Sequence, residues 1–378
     1  MNVAFRTASA LILTTFIGLL CSCSDSSTPS TPAPNTAITD DVTISNNQLM
    51  KGGTPWTPHG YYMIAFEASP THVDPTEPWW NNAYLNYTPQ EFADMKAAGA
   101  DSVRLQVAQP GMDPANEEKL YSLTYSNQAI AAVKAARAAG LTVILSVQDE
   151  AQSGETIPET LPNPTTQRVW GVLAPTFGKD KGVLFELFNE PSPAATATNW
   201  QAWQNTMNTT IQTVRSMGSE NVIVVDGLAS AQALTGAPAL TDPMNEILYA
   251  SHPYVNRQEG EAGFMEAAWK TKFGDFAATH PVLISEWGEG YFHNANTATE
   301  TLTFFAYLQG RNIGLEAGIW DWIDAKFATV QVDYPTATAF STYLQPNGSL
   351  LPNTSAGWGP GKTIVDWYKT GVLPTAPQ

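Results

Sequence analysis

Short apolar runs rich in β-branched residues alternate along this chain with longer stretches whose apolar positions recur at helical spacing. The predicted strands are Gly60–Phe66, Ser102–Val107, Thr142–Val147, Val183–Phe188, Val222–Val225, Ile247–Ser251, Val282–Ser285 and Leu315–Trp320. The predicted helices are Pro89–Ala98, Asn127–Ala139, Gln167–Thr176, Trp200–Met217, Ala229–Leu234, Gly263–Ala278, Thr297–Gly310 and Gly361–Tyr368. Continuous runs such as Val222-Ile223-Val224-Val225 suit strands of a parallel sheet covered on both faces. Ala98-Gly99 and Ala139-Gly140 close helices just before a strand, as short αβ turns do. Eight strand–helix units favour closure over an open doubly wound sheet. The expected fold is therefore α/β, a (β/α)8 TIM barrel, as a single domain with extended βα loops over residues 42–378.

The first residues follow a different pattern. Arg6 precedes an uncharged apolar run from Ala8 to Leu20, too short for a comfortable membrane span, and Leu20-Cys21-Ser22-Cys23 follows. This order of features matches a lipoprotein signal peptide over residues 1–22, with Cys23 as the lipidated residue. A Ser/Thr/Pro-rich tether over residues 23–41 cannot bury a core and reads as an extended spacer. The expected location is exported and membrane-anchored, at the cell surface or in the periplasm, with plain secretion as the alternative. Both cysteines of the chain, Cys21 and Cys23, lie in this region. That removes disulfides, thiol catalysis and Cys-ligated metal from the domain.

Composition narrows the function. Lys and Arg number 18 against 35 Asp and Glu, a formal net charge of −17. This disfavours nucleic acid and anionic membrane as partners, leaving the lipid anchor as the expected membrane contact. The chain also carries 12 Trp, 13 Tyr and 15 Phe, side chains whose faces stack on sugar rings as readily as they pack a core. The histidines show no metal-ligand spacing, and Gly357–Gly361 has no phosphate-binding context, so neither metal nor cofactor is expected.

Active sites of such barrels sit at the C-terminal ends of the strands. Arg104 lies in the second predicted strand. Asn189-Glu190-Pro191 follows the fourth, His252-Pro253-Tyr254 the sixth, Glu286-Trp287-Gly288 the seventh and Trp320-Asp321-Trp322 the eighth. Glu190 and Glu286 thus meet across one barrel mouth. Glycosidic cleavage uses such a pair: one acid protonates the leaving oxygen while the other carboxylate attacks the anomeric carbon. A separation of roughly 5–5.5 Å gives net retention. The acid must keep its proton, which a neighbouring charge favours, and the nucleophile must stay ionised beside a cation, for which Arg104 is the candidate.

These residues resemble glycoside hydrolase family 5, in the clan of barrel glycosidases whose catalytic carboxylates end strands four and seven. The resemblance rests on Ser102-Val103-Arg104-Leu105, Leu184 to Pro191 (LFELFNEP), His252-Pro253-Tyr254 and Val282 to Gly288 (VLISEWG). It implies that Glu190 is the acid/base and Glu286 the nucleophile. It further implies that Asn189 bonds the sugar 2-hydroxyl, Tyr254 bonds Glu286, His252 lines the site and Arg104 orients the nucleophile. Trp320 would be the platform under the sugar, with Trp322, of the same strand parity, ranked second.

Some positions depart from the family pattern. Gln148 stands where a His is common after the third strand and would contact the sugar by an amide; Gln106 replaces a frequent Pro; Gly227–Ser230 lacks an aromatic. Asp149 and Glu150 read as a solvated loop. Trp79-Trp80, Tyr61, Tyr62, Phe66 and the run Ala325–Pro360 are candidate cleft walls. The expected activity is a retaining endo-β-1,4-glucanase acting as a monomer on a β-linked polysaccharide or oligosaccharide. A β-mannanase or an exo-acting β-glycosidase is the alternative, and a transglycosylase would use the same residues. A non-catalytic carbohydrate-binding lipoprotein ranks below these, because both carboxylates are present.

Overall fold

The computed structural model describes residues 40–72, 82–85, 87–254, 265–288, 298–318, 320 and 360–375. Eight strands form a closed parallel barrel. They are β4 (His59–Met63), β5 (Ser102–Ala108), β6 (Thr142–Gln148), β7 (Val183–Glu186), β8 (Ile223–Asp226), β9 (Ile247–Ala250), β10 (Val282–Trp287) and β11 (Gly314–Ala317). Each pairs in parallel with its successor, and β11 closes on β4 with Glu316 opposite Gly60. Every predicted strand is present. Helices Pro89–Ala97, Leu123–Ala138, Pro164–Phe177, Ala197–Ser216, Ala298–Gln309 and Pro360–Thr370 cover the outside, so the architecture is the expected (β/α)8 TIM barrel.

Alternation sorts the side chains into two cores. On β5 and β6 the residues Val103, Leu105, Val107, Val143, Leu145 and Val147 face outward and join the main cluster under the helices. Their neighbours Ile144 on β6, Leu184 on β7, Val224 on β8, Leu248 on β9 and Leu283 on β10 form a second, smaller cluster. Val42 and Leu49 belong to that cluster as well. They come from an antiparallel sheet of β1 (Val42–Ser45), β2 (Gln48–Lys51) and β3 (Thr54–Pro55), absent from the strands predicted above. Its β1–β2 turn is Asn46-Asn47, both at positive φ, as a tight two-residue hairpin requires. The interior is not wholly apolar at this end: Ser102, the first residue of β5, bonds the buried Glu316 of β11.

Two helices differ from expectation. Ala229–Leu234 is a left-handed turn: Ala229, Ser230 and Ala231 have φ of 57, 55 and 55°, and Leu228 pairs with Ala233 through an antiparallel bridge. Gly227 packs so closely on the Ala233 carbonyl that a Cβ there would lie 2.0 Å from its oxygen, so this fold-back requires glycine at that position. The segment expected as Gly263–Ala278 is described from Met265 onward. It opens as Glu266–Trp269, widens into π-type turns over Lys270–Gly274 and resumes as Asp275–Ala277.

Candidate active site

The site begins with one buried cation. Arg104 is inward on β5, level with Ile144 of β6 and Tyr62 of β4, and its side chain has no solvent exposure. Isolated, such a charge would be prohibitively costly. Its Nε donates to both Glu186 oxygens at 3.1 and 2.9 Å, and Nη2 also reaches Glu186. Nη2 donates to Asn189 Oδ1 at 2.6 Å, while Nη1 donates to Glu286 Oε2 at 2.8 Å. Burial opposes the charge of Glu186, but Arg104 more than offsets it and holds that carboxyl below its ordinary range. Glu186 was missed in the motif reading, although alternation along Leu184-Phe185-Glu186 points it inward.

Glu286 reaches the mouth through a backbone irregularity. Leu283 and Ser285 alternate inward, so simple parity would turn Glu286 out with Ile284. Between Ile284 and Trp287 β10 carries one residue more than β11 does between Leu315 and Ala317. This bulge lets Ser285 and Glu286 both face the lumen, while Trp287 returns to the outer core. Tyr254 Oη donates to Glu286 Oε1 at 2.8 Å, so each carboxylate oxygen has its own donor. That commits the Tyr254 proton, and Tyr62 Oη completes the chain by donating to Tyr254 Oη at 2.6 Å. Tyr62 has room because Gly318 faces it: a Cβ there would lie 1.6 Å from the Tyr62 ring.

Glu190 leaves β7 in a left-handed conformation, φ 49°. Strain of this kind persists where the surroundings over-determine it. His252 Nδ1 lies 2.9 Å from Glu190 Oε1 and 3.8 Å from Glu286 Oε2, and His252 Nε2 lies 2.8 Å from Ser285 Oγ. One oxygen of Glu190, one of Glu286 and a His252 nitrogen all fall within 4.8 Å of one another. Both Glu side chains retain access, 22 % and 13 % exposed, whereas His252 has none.

Burial sets the protonation states. It drives Glu190 up to about 7, with Arg104 opposing and Glu186 assisting. Desolvation therefore leads, where a neighbouring charge had been expected to. Burial also raises Glu286, against the opposing pull of His252 and Arg104. His252 is pushed down to about 4 by burial and is neutral near pH 7. Both ring nitrogens of neutral His252 are thereby engaged, Nδ1 by the Glu190 carboxyl and Nε2 by the Ser285 hydroxyl, one as donor and the other as acceptor.

The other predicted residues divide. Asn189 is buried between Arg104 and Glu150, donating to Glu150 Oε1 through Nδ2. Glu150 is accordingly no solvated loop residue; burial, Glu190 and Glu286 raise it to about 8. Asp149 is buried too, accepting from Gln109 Nε2 at 2.9 Å and Ser153 Oγ at 2.7 Å. Gln148 is enclosed, its Nε2 donating to the Glu67 carbonyl and its Oε1 without a partner. Glu67 brings a further carboxyl, raised by burial and then by Glu150 and Glu286, that no motif announced.

The expected platform is a correction. Trp320 is 5 % exposed and sits in the outer core with its ring 4.8 Å from that of Tyr61, leaving no open face for a sugar. Its backbone N–H is held by the Tyr62 carbonyl at 2.9 Å, which fixes the strand exit. Tyr61 and Phe66 are likewise core residues rather than cleft walls. Trp322, Trp79, Trp80 and residues 325–359 lie outside the described residues.

A closed parallel barrel with two facing carboxyls at the exits of β7 and β10 defines the barrel class of glycoside hydrolases. The family model described as Cellulase (glycosyl hydrolase family 5) matches residues 59–326, and the chain belongs to that family. No curated protein sequence matches it. Among solved structures it is similar to the catalytic domain of the Thermobifida fusca endoglucanase Cel5A, at 16 % identity and TM-score 0.59, covering 87 % of this chain and 97 % of that one. It is also similar to a β-glucanase from Saccharophagus degradans, at 20 % identity and TM-score 0.56, covering 76 % and 86 %. A third is the catalytic domain of a mannanase from Streptomyces sp. SirexAA-E, at 18 % identity and TM-score 0.52, covering 78 % and 87 %. At these identities the likeness is one of fold.

Proposed function

We propose that this glycoside hydrolase is an endo-β-1,4-glucanase in which Glu190 is the acid/base and Glu286 the nucleophile. The observation carrying this reading is the approach of the two carboxyls within 4.8 Å, with Arg104 and Tyr254 donating to Glu286 and neither of them to Glu190. Those donors favour the ionised form of Glu286, while Glu190, near 7, keeps its proton in slightly acid solution. Glu286 attacks the anomeric carbon as Glu190 protonates the departing oxygen, giving a glycosyl-enzyme and the shortened chain. Glu190, now a carboxylate, takes a proton from water, which attacks the same carbon and frees Glu286. The names of the Thermobifida and Saccharophagus proteins support a glucan substrate, and that of the Streptomyces protein makes mannan the second choice.

The leader and tether support export of this activity. Lipid attachment at Cys23 would hold the barrel near a membrane surface, with residues 24–41 as the spacer.

The decisive experiment pairs two variants with a substrate panel. Glu286→Ala should abolish turnover of an activated aryl β-glycoside, and azide should restore product of inverted anomeric configuration. Glu190→Ala should spare good leaving groups and slow poor ones. Wild-type activity in Glu286→Ala would end the nucleophile assignment. On the panel, β-1,4-glucan should lose viscosity faster than reducing ends appear; faster cleavage of mannan, or release of only short products from the start, would replace the endoglucanase reading.

A further inference from the structure

Glu190 is held by more than its own strand. Its backbone N–H donates to Asp226 Oδ2 at 2.9 Å. Asp226 is the inward residue at the end of β8 and is fully buried. Its own carbonyl accepts from Trp203 Nε1 at 2.8 Å, which ties the strand end to helix Ala197–Ser216. The left-handed turn that follows continues the same contact. Ala229 N–H donates to the Pro193 carbonyl at 2.9 Å and Ser230 N–H to the Pro191 carbonyl at 3.0 Å. The Ala231 carbonyl then accepts from His252 N–H at 2.9 Å. The exit of β8 therefore grips the segment Glu190 to Pro193 on one side and the backbone of His252 on the other, the residue whose ring meets the Glu190 carboxyl.

We propose that Asp226 is a positioning residue for the acid/base, fixing the left-handed backbone of Glu190 so that its carboxyl meets His252 and the leaving oxygen together. The inference rests on the reading of Glu190 as acid/base. A residue at φ 49° relaxes when its backbone donor loses its acceptor, because most side chains are strained in that region. The carboxyl would then swing away from the leaving group while Glu286, held by Arg104 and Tyr254, stays in place. Asp226 does not touch the reacting atoms. Its Oδ2 lies 3.7 Å from His252 Nε2, too long for a hydrogen bond, and its Oδ1 has no partner. Burial, reinforced by Glu186, holds this carboxyl well above the usual carboxylate range, so the neutral amide of Asn is its conservative replacement.

The test uses aryl β-glycosides of graded leaving-group pKa, with Asp226→Ala, Asp226→Asn and Glu190→Ala measured side by side. Asp226→Ala should lose about tenfold on the poorest leaving group, the size of one hydrogen bond to a catalytic element, and little on the best, with KM unchanged. Asp226→Asn, which keeps an oxygen to accept the Glu190 N–H, should stay within about threefold of wild type. A uniform loss for Asp226→Ala across leaving groups, or none, overturns the proposal. If Asp226→Ala does not fold, Asp226→Asn decides: a loss as deep as that of Glu190→Ala would mean that Asp226 acts through its proton and not by positioning. A flat profile for Glu190→Ala removes the acid/base assignment itself. A steep one beside a flat Asp226→Ala profile removes only the role of Asp226.

Discussion

Arg104 spends two of its three nitrogens on Glu186 and offers Glu286 only Nη1, at 2.8 Å. The cation that supports the proposed nucleophile is thus anchored by a different carboxylate, one layer deeper in the barrel. Orientation of the Arg104 fork is a property of Glu186, and this division of labour can be tested on stability. Removing one partner of a buried ion pair strands the other charge, at a cost of about 3–5 kcal/mol. Glu186→Ala should lower the urea-unfolding free energy by that amount. A midpoint equal to that of wild type would show that Glu286 alone can hold Arg104.

Tyr254 can be examined through the pH profile. Its hydroxyl favours the ionised form of Glu286, so Tyr254→Phe should raise the Glu286 pKa. The acidic limb of kcat/KM should move to higher pH, and the optimum rate should fall about ten- to a hundredfold, the range for a hydrogen bond to a charged group. The alkaline limb should stay where Glu190 loses its proton, near about 7. An acidic limb unmoved by the substitution would count against the contact.

Buried carboxyls predict how stability varies with pH. Glu150 is raised from its ordinary 4.5 to about 8 in the folded state. Between those values the folded chain binds a proton that the unfolded chain has released, so stability falls as pH rises. The contribution is fully present below the unfolded value and lost as pH passes the folded one. The melting temperature should therefore decline from slightly acid to slightly alkaline solution, and Glu150→Gln should flatten the decline. A melting temperature that rises over this window would contradict the burial of that group.

The left-handed turn supplies a test of backbone strain. Ala229 sits at φ 57°, where an L side chain is disfavoured and glycine is not. Ala229→Gly should stabilise the fold by about 1 kcal/mol, read as a higher denaturation midpoint at constant slope. Destabilisation would mean that the Ala229 side chain contributes packing that outweighs the strain.

The sequence by itself determined the barrel. Strands buried on both faces are written as short β-branched runs, and each run is legible without knowledge of its neighbours. It also determined which side chains stand at the strand exits, because Glu190, His252, Tyr254 and Glu286 each follow such a run directly. Tertiary structure alone decided how they are held. The bulge in β10 exists only relative to the shorter count in β11. Glu186 and Asp226 matter because closure brings them against Arg104 and Glu190, 82 and 36 residues away in the chain. Trp320, promising as a platform from its position, is claimed by Tyr61 and the outer core. Local pattern encodes what each segment is. Which groups share a buried layer, and hence which proton or charge survives there, depends on contacts between segments that no local pattern contains.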